Sequence, residues 1–247
     1  VVHGSDHELI NFGVSGYGTD QAYLFYKKTG TSFEADEVIL VFTPYNDIEN
    51  NLSSRQYGHD KPYFTLEDNI FTFHAEGLKE NPIQTIINKV WSKSRVINLL
   101  FTVHRTFQNW QVLKKTKGGT ATPGTGPLGP LVVTERDLKG VALTMTIIGK
   151  LQKEVLSTGS KFSIMFVPYK PHILHKVSYN HPLVPILAKK LEAAGIPYYE
   201  PYFIFLDETN SKKLFNPIDN HFSPEGHQVF SRTFIDPNIR ETIKNLY

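Results

Sequence analysis

Short apolar runs alternate with segments of helical periodicity along this 247-residue chain. The strand pattern is found at residues 37–42, 161–167 and 196–199, and the helical pattern at residues 20–28, 134–156 and 183–194. Strands that alternate with helices and are apolar along their whole length are typical of a parallel sheet covered by helices on both faces. The pattern therefore predicts an α/β fold, with the strand at residues 37–42 buried on both faces.

A glycine-rich bend at residues 11–21 follows an apolar run that predicts a first strand at residues 9–14. Gly13, Gly16 and Gly18 allow positive φ and a close approach of the backbone, which leaves peptide N–H groups free to face an anion. Glycine in a strand-to-helix turn also serves purely local geometry. The bend is a candidate site that other parts of the chain must support.

Two later segments provide that support. The apolar run at residues 38–47, which contains most of the strand at 37–42, ends in Asn46 and Asp47, and residues 219–227 read DNHFSPEGH. In parallel sheets, ligands bind beyond the carboxyl ends of the strands, where Gly16 and Asn46 are expected. Asn-Asp after a strand is also ordinary turn chemistry. His221 lies in a polar turn before a helix, a suitable position for a general base.

Together and in this order, the three segments resemble blocks of the SGNH-hydrolase (GDSL esterase and lipase) family. The resemblance implies a three-layer α/β/α sandwich with a mostly parallel, flavodoxin-like sheet. It implies that Gly16 and Asn46 donate to an oxyanion, that His221 is the general base and that Asp219 orients it. The implied function is hydrolysis of an ester, by deacetylation of a carbohydrate or by cleavage of a short acyl or lipid ester, without a cofactor.

The nucleophilic serine of that family is not identified in this chain. The family carries it in a GDS-type strand ahead of the glycine turn, and no such motif occurs in the sequence. Ser5 lies ahead of the first predicted strand, at the end far from Gly16, and Ser15 lies within the oxyanion turn. We expect the missing strand to come from a preceding segment or from a second chain, and the chain as given to have little serine-esterase activity. The alternatives are a non-catalytic glycan- or ester-binding module and an O-acyltransferase.

Composition narrows the function classes further. The net charge is +2 and the Lys and Arg residues are scattered, so the sequence shows no basic patch that would bind nucleic acid. The absence of cysteine removes disulfides, thiolate catalysis and Cys-ligated metals. No apolar run is long enough to cross a bilayer, and residues 1–8 lack a signal-peptide pattern. The composition fixes no compartment, and an extracytoplasmic location is compatible with the family.

The remaining predictions concern an insertion and a histidine-rich loop. Within one domain covering residues 1–247, the alternation breaks at residues 50–134, which we interpret as a cap beside the site. The cap is expected to contain a hairpin, two helices at 83–91 and 94–107 and a Gly/Pro-rich loop at 117–130. Three histidines, His172, His175 and His181, share one loop, but no carboxylate accompanies them, and we predict no metal site.

Overall fold

The computed structural model describes residues 8–56, 59–75, 132–217 and 219–245. The predicted helices at 83–91 and 94–107 and the predicted loop at 117–130 lie outside these residues. So does most of the predicted cap.

The described residues form a mixed α/β structure whose helices and strands are numbered here in chain order. The helices are Thr19–Thr29 (α1), Pro44–Asn51 (α2), Glu135–Ser157 (α3), Lys170–Leu174 (α4), Leu183–Ala193 (α5), Tyr202–Asp207 (α6), Pro224–Ile235 (α7) and Pro237–Thr242 (α8), with 3₁₀ turns at Gly30–Phe33 and Ser211–Leu214. The strands are Glu37–Phe42 (β1), Arg55–Gln56 (β2), His59–Asp60 (β3), Tyr63–Glu67 (β4), Ile70–His74 (β5), Lys161–Phe166 (β6) and Tyr198–Tyr199 (β7). No described helix is both long and apolar enough to cross a membrane.

A small parallel sheet with strand order β1-β6-β7 is the centre of the fold. β1 pairs with β6 over six residues, from Glu37 opposite Lys161 to Phe42 opposite Phe166, and β6 pairs with β7. The predicted strands of this sheet and their parallel direction are confirmed. The last strand is shorter than the predicted 196–199.

Side chains of β6 alternate between two apolar clusters. Phe162, Ile164 and Phe166 belong to a cluster that includes buried residues of α1, α2, α3 and α5. Met165 belongs to a second cluster, with residues of α4, α6 and α7. Because successive side chains of a strand point to opposite faces, the two clusters lie on opposite faces of the sheet.

Local signals in the sequence explain several of these elements. The long helix α3 begins with a capping box, in which the Thr134 hydroxyl accepts from the Asp137 N–H and the Asp137 carboxylate accepts from the Thr134 N–H. The predicted hairpin is β4–β5, and its two turn residues, Asp68 and Asn69, have φ of 50° and 64°. Positive φ at both central residues gives the turn a twist that matches paired strands.

The predicted strand at residues 9–14 is wrong. These residues form no strand, and Phe12 instead packs against Phe25 of α1 and Phe33. An apolar run forms a strand only when a neighbouring strand satisfies its N–H and C=O groups. No described strand lies beside residues 9–14 to do so.

β1 is less buried than its continuous apolar sequence predicts. Val41 is 46% exposed, and the residues before it are half-buried. Among the described residues no strand pairs with the edge of β1 opposite β6. The outer edge of β7 is covered, since Tyr199 forms a bridge with Lys244 and the Asn245 N–H donates to the Tyr198 carbonyl at 3.0 Å. Within the described residues, the sheet therefore has one covered edge and one regular, apolar edge without a partner strand.

Candidate functional site

His221 and Asp219 form an ion-pair contact in the loop before α7. The Asp219 Oδ1 atom accepts from the His221 backbone N–H at 2.9 Å and lies 3.1 Å from its ring Nδ1. The backbone bond curls the chain so that a spacing of only two residues brings ring and carboxylate together. A carboxylate at Nδ1 favours the tautomer with its proton there, which leaves Nε2 as a proton acceptor. The His221 side chain is 85% exposed, so Nε2 is open to solvent.

Backbone bonds close the loop that carries this pair. The Asn216 N–H donates to the His221 carbonyl at 2.8 Å, and the Ser223 N–H donates to the Leu214 carbonyl at 3.0 Å. Ser223 then caps α7 by accepting from the Gly226 N–H at 3.1 Å, with Pro224 as the first helical residue. The loop is thereby fixed at both ends to a regular element.

We expect Gly226→Ala to destabilise the protein by about 1 to 3 kcal/mol, because overpacking at a tight contact forces the backbone to move. A methyl group on Gly226 would lie 1.9 Å from the Leu214 carbonyl oxygen, which belongs to the loop closure. Gly149→Ala is the matched control, since its methyl group would meet no atom within 4 Å in the middle of α3. That change should stabilise the helix by up to about 1 kcal/mol. Urea unfolding of both variants checks the opposite signs, and two equal shifts would contradict the expectation.

Asn46 lies in the first turn of α2 and is exposed. The next residue, Asp47, is buried and accepts from the Thr43 N–H at 2.8 Å, so it anchors the turn that positions Asn46. Burial raises the pKa of Asp47 to about 7.

Tyr45 connects the start of α2 with the loop of Asp219. Burial, followed by the negative charges of Asp47 and Asp219, raises the pKa of the Tyr45 phenol to about 12. Its ring lies 4.8 Å from the ring of Tyr169, which follows β6. The carboxyl ends of β1 and β6 and the loop of Asp219 therefore lie next to one another.

Gly16 lies in a turn in which the Tyr17 N–H donates to the Val14 carbonyl at 3.1 Å. Its φ of 84° is in the left-handed region, which explains why glycine occupies this position. Ser15 shares the turn and is exposed, whereas Ser5 lies outside the described residues.

A buried polar network fixes the start of α1 against α2. The Asn51 side chain accepts from the Asp20 N–H at 3.0 Å and donates to the Thr144 hydroxyl of α3 at 2.8 Å. Asp20 also forms a buried ion pair with Lys61. The glycine turn is thereby connected to the helix that carries Asn46.

The predicted site residues are thus brought together only in part. His221 contacts Asp219. Asn46 follows Tyr45, whose pKa is raised in part by the charge of Asp219. Among the described residues no hydrogen bond joins Gly16 or Asn46 to His221 or Asp219. Convergence of Gly16, Asn46 and His221 within one cleft stays a prediction.

Sequence reasoning missed Lys170, which lies just after β6 and is buried. Its ammonium donates to the Asn216 carbonyl at 2.7 Å and to the Asp219 carbonyl at 2.6 Å. Burial lowers the pKa of Lys170, and the charge of Asp219 acts in the opposite direction. The signal in the sequence was a lysine shortly after the predicted buried strand at residues 161–167, in a position where a charged side chain needs partners.

The histidine-rich loop packs against Tyr169 instead of forming a cluster of ligands. The rings of His172 and His181 lie 5.1 Å and 5.4 Å from the ring of Tyr169. Burial, followed by the neighbouring His172, lowers the pKa of His181 to about 4. In the part of the chain that the structure describes, no group of three or more His, Asp or Glu is placed to hold a metal ion.

A buried carboxyl group follows β7. Glu200 accepts from the Tyr202 N–H at 3.0 Å and from the Asn180 side chain at 3.2 Å. Asn180 also accepts from the Tyr169 N–H at 2.7 Å. Glu200 therefore supports, through Asn180, the segment that carries Tyr169 and Lys170. Burial raises the pKa of Glu200 to about 8.

The raised pKa of Glu200 predicts a loss of stability as pH rises. The folded protein keeps this proton between the unfolded pKa and about 8, so its free energy of unfolding falls through that range. Glu200→Gln removes the titration, and its stability relative to the parent should rise by roughly 3 kcal/mol between pH 5 and pH 8.5. Urea unfolding at both pH values measures this difference. Exposed Glu67→Gln is the control, and an equal change in both variants would refute the expectation.

Comparison with known proteins returns no relationship. No protein-family model matches the chain. Neither the search of curated proteins nor the search of solved structures finds a match. The family resemblance of the three sequence blocks therefore stays a prediction.

Proposed function

We propose that this protein is an ester hydrolase of the SGNH/GDSL type, acting on an acetylated carbohydrate or on a short acyl or lipid ester. The observation that carries the proposal is the contact of 3.1 Å between His221 Nδ1 and Asp219 Oδ1, next to the carboxyl ends of parallel strands. An imidazole oriented by a carboxylate and open at Nε2 is suited to take a proton from an attacking hydroxyl group.

The other site residues have matching roles. The negative charge that develops on the ester carbonyl oxygen needs donors that are already in place. The Gly16 N–H and the Asn46 side-chain amide are the proposed donors, each contributing on the order of 3 kcal/mol to transition-state stabilisation. The left-handed turn at Gly16 and the anchoring of Asn46 through Asp47 support these roles.

The proposed fold is the three-layer α/β/α sandwich, with an additional parallel strand on the open edge of β1. Two apolar clusters on opposite faces of the sheet support the three layers. The open edge is apolar and regular, and β1 has no proline within it to discourage pairing. A parallel strand added there would end beside Asn46, where a nucleophilic serine is needed. A segment that precedes the described residues or a second chain would supply it.

The proposed cap at residues 50–134 would restrict which acyl or sugar groups enter the site. Its described part includes the β4–β5 hairpin, which packs Phe64 against Tyr23 of α1.

A second candidate is a non-catalytic module that binds a glycan or an ester. It is favoured by the surroundings of His221, whose ring is 85% exposed and has no hydroxyl partner among the described residues. Such a module would keep the cleft but would form no covalent intermediate.

Labelling with a fluorophosphonate distinguishes the two candidates. The 247-residue chain and a version extended upstream through its first GDS-like strand are incubated with the reagent and assayed with p-nitrophenyl acetate. We expect labelling and turnover only in the extended version. If both proteins lack labelling and turnover, the result favours the binding module. Robust turnover by the 247-residue chain would show that the additional strand is not required. Product analysis with an added alcohol separates a hydrolase from an O-acyltransferase.

A further inference from the structure

We propose that Lys170 is a positioning residue that holds the loop of residues 216–221 in the shape that pairs His221 with Asp219. The inference deepens the proposed function and rests on it only for the role of His221. The contacts of the lysine do not depend on that role.

The ammonium group of Lys170 lies inside the loop. It donates to the carbonyl of Asn216 at 2.7 Å and to that of Asp219 at 2.6 Å, and the whole residue is only 4% exposed. An ammonium group has three donors and no acceptor, so carbonyl groups that converge on it are held at a fixed separation. The two carbonyl groups belong to residues five and two positions before His221.

Two other hydrogen bonds hold the same part of the chain. The Asn216 N–H donates to the His221 carbonyl, and the Asp219 carboxylate accepts from the His221 N–H, so both bonds depend on the curvature between residues 216 and 221. Without the ammonium group, two partly buried carbonyl groups lose a charged donor. We expect the loop to open and the contact between His221 and Asp219 to become transient.

Lys170 itself is held from the opposite side. The neighbouring Tyr169 N–H donates to Asn180, whose side chain also donates to the Val167 carbonyl at 3.2 Å and to Glu200. Lys170 therefore extends from a segment fixed to the ends of β6 and β7. The rigid sheet is connected through this lysine to an otherwise exposed catalytic pair.

The test uses the 247-residue protein and does not require activity. We compare Lys170→Met with Lys176→Met, because Lys176 also donates to a backbone carbonyl, that of Leu206 at 2.5 Å, but on the exposed surface. Amide hydrogen exchange is measured at His221 and Asn216, with the amides of β6 as an internal reference for global stability. In Lys170→Met, exchange at these two amides should accelerate by about tenfold or more relative to β6. In Lys176→Met it should not change.

The ring nitrogens of His221 provide a signature that a general loss of stability would not give. With the neutral ring, ¹⁵N shifts report which nitrogen carries the proton, and the parent protein should show it on Nδ1, facing Asp219. Lys170→Met should shift the population toward the Nε2–H tautomer. An unchanged tautomer with unchanged exchange at His221 would overturn the proposal.

If Lys170→Met does not fold, a measurement on the parent protein still tests the proposal. The side-chain ammonium signal of Lys170 should then exchange with water more slowly than that of Lys176, because only Lys170 is buried between two carbonyl groups. Equal exchange of both ammonium groups would overturn the proposal. The Lys170 signatures in the 247-residue protein, together with an extended version that hydrolyses no ester, would contradict only the proposed function.

Discussion

Replacement of His221 by asparagine should lower kcat for ester hydrolysis by about 10³-fold, since a positioned general base contributes roughly 10² to 10⁴ in rate. The measurement is made on the ester-hydrolysing form proposed above. Asparagine retains a polar side chain near Asp219 but cannot accept a proton at neutral pH. Because proton transfer occurs in the transition state, kcat and kcat/KM should fall together, with little change in KM.

The control for His221→Asn is His227→Asn. His227 is exposed on α7 and contacts the ring of Phe222, so it shares the surroundings of the loop without facing Asp219. Its replacement should leave kcat within about twofold of the parent, as is usual for an exposed residue outside the site. If both histidines gave the same loss of rate, the effect would come from the stability of α7 and His221 would not be the base.

Lys61→Met should destabilise the protein by about 3 to 5 kcal/mol at pH 7, because it leaves a buried carboxylate without its partner. The Lys61 and Asp20 side chains are 3% and 0% exposed and form an ion pair in the network at the start of α1. Burial raises the pKa of Asp20, and Lys61 is the main opposing influence. Urea unfolding measures the loss, which should shrink as pH falls toward the range where Asp20 becomes protonated.

Two comparisons make this expectation specific. Arg136→Met removes a partner from an exposed ion pair with Glu49, and stability should hardly change. The double variant Lys61→Met with Asp20→Asn should be less destabilised than the sum of the two single variants, since it removes both charges of the pair. Additive losses would show that the pair acts as two independent side chains. The network would then not be what fixes the glycine turn against α2.

The elements with strong local signals could be predicted from the sequence. The long helix that follows Thr134 and the hairpin within residues 50–134 depend on a few neighbouring residues, and the structure contains both where they were expected. The strand from Glu37 to Phe42 was also found at its predicted bounds. Each of these signals is local, so it acts in the same way whatever the rest of the chain does.

Predictions that needed a neighbour were less successful. Residues 9–14 have the composition of a strand, yet they form none, because backbone pairing depends on a second strand. The prediction that Val41 is buried was wrong for the same reason. The apolar pattern of β1 shows which side chains the strand can bury but not which residues cover them.

The sequence alone determined the parallel α/β arrangement and the pairing of a histidine with the acid two residues before it. Both follow from periodicity and short spacing. Tertiary structure decided that Lys170 reaches the loop of Asp219, that Glu200 is buried behind Asn180, and that no described strand pairs with one edge of β1. These contacts join residues 20 to 49 positions apart or depend on which strands become neighbours. Such contacts depend on the packing of the whole sheet, because no local pattern specifies which distant groups will satisfy a buried charge.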